Sequence, residues 1–213
     1  MGRTKLKKLK KLDEMPNVFS SVDPDAITYL RNYFTTNKSI TLEIGCGHGD
    51  YSVELAKIHP ERNFVGIDVK GARIFIGASK AIEMNLKNVA FMITKAEKLN
   101  EVFEPNSIEE IYIPFPDPHV KLSNQNRRLV SPKFLNMYRE LIVNSAKIHF
   151  KTDNEELFKY ALKNILNLDA KILFSTQDLQ IAEGREFNSG ILTSYEKYYL
   201  KEGRTIKYVC FRF

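Results

Sequence analysis

Short apolar runs rich in β-branched and aromatic residues alternate along this chain with stretches of helical period. The runs "ITLEIG" (40–45), "NFVGIDV" (63–69), "VAFMIT" (89–94), "IEEIYIPF" (108–115) and "AKIHFKT" (146–152) are bounded by turn residues and predict strands. Between and after them, 50–58, 71–86, 132–145 and 154–167 predict helices. Strands separated by helical crossovers imply an α/β fold with a parallel sheet. Two later runs, "KILFST" (171–176) and "TIKYVCFRF" (205–213), are expected to extend that sheet as an antiparallel edge pair. In such sheets ligands bind beyond the carboxyl ends of the strands, so chemistry is expected directly after each run.

With 213 residues and 43% hydrophobic content, the chain can bury one sizeable core, and no Gly/Ser- or Pro-rich linker divides it. The expected organisation is a basic, flexible arm over 1–15 followed by a single domain over 16–213. No apolar run reaches the roughly 18 to 20 residues of a membrane helix, and no signal-like segment follows the charged start. A cytoplasmic protein with no membrane partner is expected. Cys46 and Cys210 stand far apart, without CxxC spacing or clustered histidines, so neither a disulfide framework nor a metal site is indicated.

Formal charge is +6 and the pI near 9.1, a balance that favours a polyanionic partner. Six basic side chains, Arg3, Lys5, Lys7, Lys8, Lys10 and Lys11, crowd the start before the first acid, Asp13. An arm of this kind binds phosphate with counterion release, or remains a solvated tail.

The first strand gives way to "LEIGCGHGD" (42–50). Gly45, Gly47 and Gly49 allow a sharp turn and a close ligand approach. A dinucleotide fingerprint would place its third glycine at position 50, which is Asp50. A carboxylate there disfavours a pyrophosphate. Glu43, two residues ahead of the turn, suits a cationic cofactor, and S-adenosylmethionine fits. Asp68, closing the second strand, can accept from ribose hydroxyls or cap the following helix. The stretch "IPFPDPHVK" (113–121) sets one carboxylate, Asp117, among Pro114, Pro116 and Pro118. Proline fixes φ and removes donors, so a stiff, extended loop at a strand end is expected.

With "IPFPDP" (113–118), "RRL" (127–129), "KTDN" (151–154) and "TSYEKYYLKEG" (193–203), the chain resembles the bacterial-type tRNA (guanine-N7)-methyltransferases, class I S-adenosylmethionine-dependent enzymes. The resemblance implies a Rossmann-like, mostly parallel seven-stranded sheet with helices on both faces and an antiparallel edge strand. It implies methyl transfer to N7 of a guanine in the tRNA variable loop, by convention position 46, without a metal and without an obligate second subunit, the chain acting as monomer or homodimer. Cofactor contacts are expected at Glu43, Gly45, Gly47, Asp68, Lys95, Ala96 and Asp117, with Asp117 also catalytic. Substrate contacts are expected at Lys121, Arg127, Arg128, Asp153, Thr193 and Glu196. Each has a plainer reading: Asp117 could cap a turn, Asp153 a helix, and Thr193-x-x-Glu196 has capping-box spacing. The chain departs from the family pattern at His119, Val120, Asn124 and Asn126, and Lys95 stands where an acidic or amide side chain is usual. Two alternatives remain at this level: methylation of another RNA or a small molecule, and a non-catalytic RNA-binding module.

Overall fold

The computed structural model describes residues 11–34, 39–182 and 190–213. The fold is α/β, a mostly parallel eight-stranded sheet with helices. Contacts gather into two compact units, Met1–Phe103 and Glu104–Phe213. The basic arm lies outside the described residues up to position 10. Leu12 is already buried, so the extension is anchored from there.

In the first unit, β1 (Val18–Ser20), α1 (Ala26–Tyr33), β2 (Ile40–Ile44), α2 (Asp50–Ile58), β3 (Asn63–Asp68), α3 (Gly71–Glu83), β4 (Val89–Ile93) and the short α4 (Leu99–Val102) follow in order. The strands lie β1-β4-β3-β2, all parallel. Their apolar runs are continuous because both faces are covered: β3 is buried at every position, and Leu42, Val65, Phe91 and Ile44 form the core. Register places Ile44 beside Ile67 and Asp68 beside Ile93, so three strands end on one edge. The first unit departs from the sequence expectation: α1 and α4 lie where no helix is expected. The strand β1, only three residues long, is an eighth strand, and α3 ends at Glu83, where Asn85 turns left-handed (φ 54°).

The second unit contains β5 (Ile108–Pro114), α5 (Pro132–Leu141), β6 (Ile142–Thr152), α6 (Glu155–Asn167), β7 (Lys171–Thr176), α7 (Ser194–Lys201) and β8 (Lys207–Arg212). Here the order is β5-β6-β8-β7. β5 and β6 are parallel, and β8 runs antiparallel between β6 and the edge strand β7. The expected helix over 132–145 stops at Leu141, and the strand begins at Ile142 rather than Ala146. The β-branched pair Ile142–Val143 leaves the helix and pairs irregularly with β5 before regular register resumes at Glu110 and Lys147. A polar tie crosses three strands: His149 bonds through Nδ1 to the Tyr208 hydroxyl (2.6 Å) and through Nε2 to Glu110 (2.7 Å), stacked on Tyr112. Burial lowers the His149 pKa against the pull of Glu110, and the imidazole's two bonds satisfy it in the core.

Candidate active site

In the first unit the glycine loop leaves β2 through backbone bonds from Gly45 and Cys46 N–H to the Ile67 carbonyl, both 2.9 Å. Gly45, Gly47 and Gly49 all adopt left-handed φ, at 74°, 55° and 70°. They need glycine for different reasons. A Cβ on Gly49 would meet Phe91 at 2.5 Å, whereas on Gly45 or Gly47 it would enter open space. Gly49 therefore serves packing, and Gly45 and Gly47 border room for a ligand.

Glu43 is 3% exposed. Its Oε2 accepts from Ser52 N–H (2.9 Å) and Ser52 Oγ (2.5 Å), so this strand residue caps the first turn of α2. Burial lifts its pKa from 4.5 to about 8, outweighing the Ser52 donors that favour the anion. Asp68 accepts from Gly47 N–H (3.0 Å) through one oxygen and from Lys70 N–H (2.8 Å) through the other. It does not cap α3, which starts after Lys70 with no side-chain cap. Both acids thus shape the loop from beneath. Burial, followed by the Glu43 and Asp68 carboxylates, pushes the Cys46 thiol well up and keeps it protonated. Beyond β4, Thr94 N–H returns to the Asp68 carbonyl (3.1 Å), which brings Lys95 and Ala96 to the same edge. Lys95 is exposed and opens a 3-10 turn over Ala96–Lys98. The structure therefore gathers Glu43, Gly45, Gly47, Asp68, Lys95 and Ala96 at one edge of the sheet, with open space at Gly45 and Gly47.

In the second unit the proline loop is not extended throughout, as the sequence had suggested. Pro114 still pairs in β5 beside Lys151, and Phe115 N–H donates to the Lys151 carbonyl (2.9 Å). Phe115 and His119 then take left-handed φ of 52° and 41°, strained for side chains of their size. Between these two bends, Asp117 Oδ1 accepts from His119 N–H at 3.0 Å, an Asx turn, while the carboxylate side chain stays 74% exposed. His119 Nδ1 lies 3.7 Å away.

Arg128, expected on tRNA, is turned inward. Its Nε donates to the Pro118 carbonyl (2.9 Å) and Nη2 to His119 (3.3 Å), and its guanidinium lies over Tyr160 at 4.5 Å. The reason is donor shortage: a stretch of prolines presents carbonyls without amides, and a fork-shaped cation meets two of them. Its neighbour Arg127 and Lys121 are exposed at opposite ends of the 3-10 segment Leu122–Arg127.

The remaining expected residues lie around the end of β6 and the start of α7. Thr193 Oγ accepts from Glu196 N–H (3.0 Å), one half of a capping box. Among the described residues the other half is absent: Glu196, fully buried, points to Lys151 Nζ (3.3 Å), and its second oxygen has no partner there. Burial raises Glu196 and lowers Lys151, each opposed by the attraction of the other. Asp153 accepts from Arg204 Nη1 at 2.6 Å rather than capping α6, which Asn154 caps. Sequence reading missed Lys151, Arg204 and the tyrosines of α7. The recurrence of Tyr195, Tyr198 and Tyr199 at helical spacing was the available signal.

A glycine loop with two acids below it on the carboxyl edge of a parallel sheet defines the class I methyltransferases. Residues 37–209 match the family model described as "Putative methyltransferase". The chain is 39% identical to a tRNA (guanine-N(7)-)-methyltransferase of Cytophaga hutchinsonii, covering 100% of this chain and 99% of that protein. It is 35% identical to one of Bacteroides fragilis, covering 99% and 86%. Among solved structures, a SAM-dependent methyltransferase from Aquifex aeolicus aligns over 99% of this chain and 98% of its own (TM-score 0.56, 15% identity). The 16S rRNA methyltransferase KamB aligns over 86% and 91% (TM-score 0.64, 14% identity), a likeness of fold alone. The chain belongs to the tRNA (guanine-N7)-methyltransferase family.

Proposed function

We propose that this chain methylates N7 of a guanine in tRNA, at position 46 of the variable loop, with S-adenosylmethionine as donor. The observation that carries the reading is Asp117: an exposed carboxylate fixed by an Asx turn between two strained bends, in a loop whose carbonyls Arg128 holds. Neutral guanine has a free lone pair at N7, so the protein need supply no base. Its task is to orient the purine and favour the charge the purine acquires.

The donor, when bound, supplies a methyl group activated on a sulfonium. The first unit fits such a group: Gly45 and Gly47 leave open space, and Asp68, whose oxygens accept from the Gly47 and Lys70 amides, keeps further lone pairs that accept from ribose hydroxyls. In the second unit the free lone pairs of Asp117 accept from guanine N1–H and the exocyclic amine, a donor pair adenine lacks. The same anion stabilises the cationic methylated ring. Exposed Lys121 and Arg127 bind phosphate, while Arg128, Asp153, Thr193 and Glu196 brace the loop and the start of α7 that face the RNA. No helix among the described residues is long and apolar enough to cross a membrane.

The test incubates the protein with labelled donor and an unmodified tRNA transcript, then maps the label by strand scission at 7-methylguanine. A single cut in the variable loop is the expected result. Label on another atom or base would remove the role given to Asp117.

A further inference from the structure

The helix α7 carries an aromatic face that the transfer chemistry does not use. Tyr195, Tyr198 and Tyr199 recur three and four residues apart, so they share one side of the helix, while Glu196 turns to the interior. Tyr195 is 45% exposed and Tyr198 55%. The rings are mutually arranged: Tyr199 faces Tyr195 at 6.4 Å with the planes inclined by 29°, and lies edge-on to Tyr198 at 5.6 Å. Arg204, held by Asp153, sits over Tyr199 at 5.0 Å. Phe115 packs on Tyr199 at 5.5 Å, so this surface is continuous with the loop that bears Asp117 two residues later.

Three ordered phenol rings at a surface match the flat face of a nucleobase, and unpaired RNA bases are commonly held by stacking on such rings. The charges around them agree. Between residues 193 and 204, Lys197, Lys201 and Arg204 are exposed against one exposed acid, Glu202, a balance that suits a phosphodiester chain. We propose that Tyr195 and Tyr198 form a stacking platform for an unpaired base of the RNA substrate, next to the guanine held by Asp117. The platform rests on the tRNA reading above but is separable from it. It holds a nucleotide that is not modified, and so fixes which sequence neighbourhood reaches the carboxylate.

The experiment uses the full chain and tRNA transcripts with 2-aminopurine placed, one at a time, on either side of the target guanine. Binding to the unaltered protein quenches the fluorescence of one of these probes. In Tyr195→Leu/Tyr198→Leu the quench disappears and the tRNA Kd rises about fivefold or more. Affinity for S-adenosylhomocysteine and the thermal melt stay unchanged, since both side chains are exposed. Tyr195→Phe/Tyr198→Phe, which keeps the rings, behaves like the unaltered protein. Quenching and tRNA affinity that survive in the leucine variant would overturn the platform and leave the surface to another partner, such as a protein. Equal loss in the phenylalanine variant would also overturn it, by assigning the contact to the hydroxyls. Failure of the unaltered protein to form 7-methylguanine on any tRNA would instead remove the tRNA reading itself.

Discussion

The glycine loop of the first unit and the proline loop of the second both fix a carboxylate, by opposite means. The glycine loop removes side chains, and its acids sit beneath it, buried and bonded to backbone: Glu43 to Ser52, Asp68 to Gly47 and Lys70. The proline loop removes backbone freedom and leaves its acid outside, with Asp117 bonded to one amide and largely in solvent. The acids beneath the first loop give it shape and room for a ligand. The acid on the second stands in solvent, 74% exposed. Burial therefore separates two acids bonded into the backbone from one that stands in solvent.

Titration gives the largest expected contrast. Burial lifts Glu43 from 4.5 to about 8, so the folded protein favours its neutral form. Stability from that residue is full below about pH 4.5 and is lost as pH rises through about 8, a span worth roughly 5 kcal/mol. In Glu43→Gln, which keeps an acceptor for Ser52, unfolding by urea at pH 5 and pH 8 should show the pH dependence greatly reduced. An unchanged dependence would mean Glu43 is not the titrating group.

Next in size is Asp117→Asn. Asparagine preserves the turn to His119 and removes the charge, so turnover should fall about 10²–10³-fold with donor affinity unchanged. Matching loss of donor affinity, read by calorimetry, would move Asp117 into the cofactor's surroundings. Within the glycine loop, Gly49→Ala should cost about 3 kcal/mol, because a left-handed backbone and collision with Phe91 add together. Gly45→Ala has the same backbone penalty, about 1–2 kcal/mol, without the collision, and should show instead as weaker donor binding. Equal destabilisation of the two variants would erase the distinction between packing and ligand space. Smallest is the arginine pair. Arg128→Ala should cost about 1–3 kcal/mol and lower turnover while the salt dependence of tRNA binding stays the same. Arg127→Ala should reduce the salt slope by about one.

Most of the sheet was legible because its strands are short, apolar and flanked by turn residues. β1 was not: three residues carry no period, and its pairing with Phe91–Ile93 is set by the fold. The end of α5 was misjudged because Ile142 continues the apolar stripe of Phe134, Leu135, Tyr138 and Leu141, although it begins a strand. At the site, the glycine spacing and the isolated Asp117 could be read directly. The destination of Glu196 could not: its spacing from Thr193 announces a cap, but Lys151 lies 45 residues away. Likewise "RR" at 127–128 reads as two equal surface charges, whereas one of them answers carbonyls ten residues earlier.

Three of the five residues from 114 to 118 are prolines and carry no exchangeable proton, and the Phe115 amide is committed to Lys151. Deuterium uptake would therefore return almost nothing from the segment that carries Asp117. Any opening that admits substrate must be watched elsewhere, through proline carbon resonances or a fluorine on Phe115.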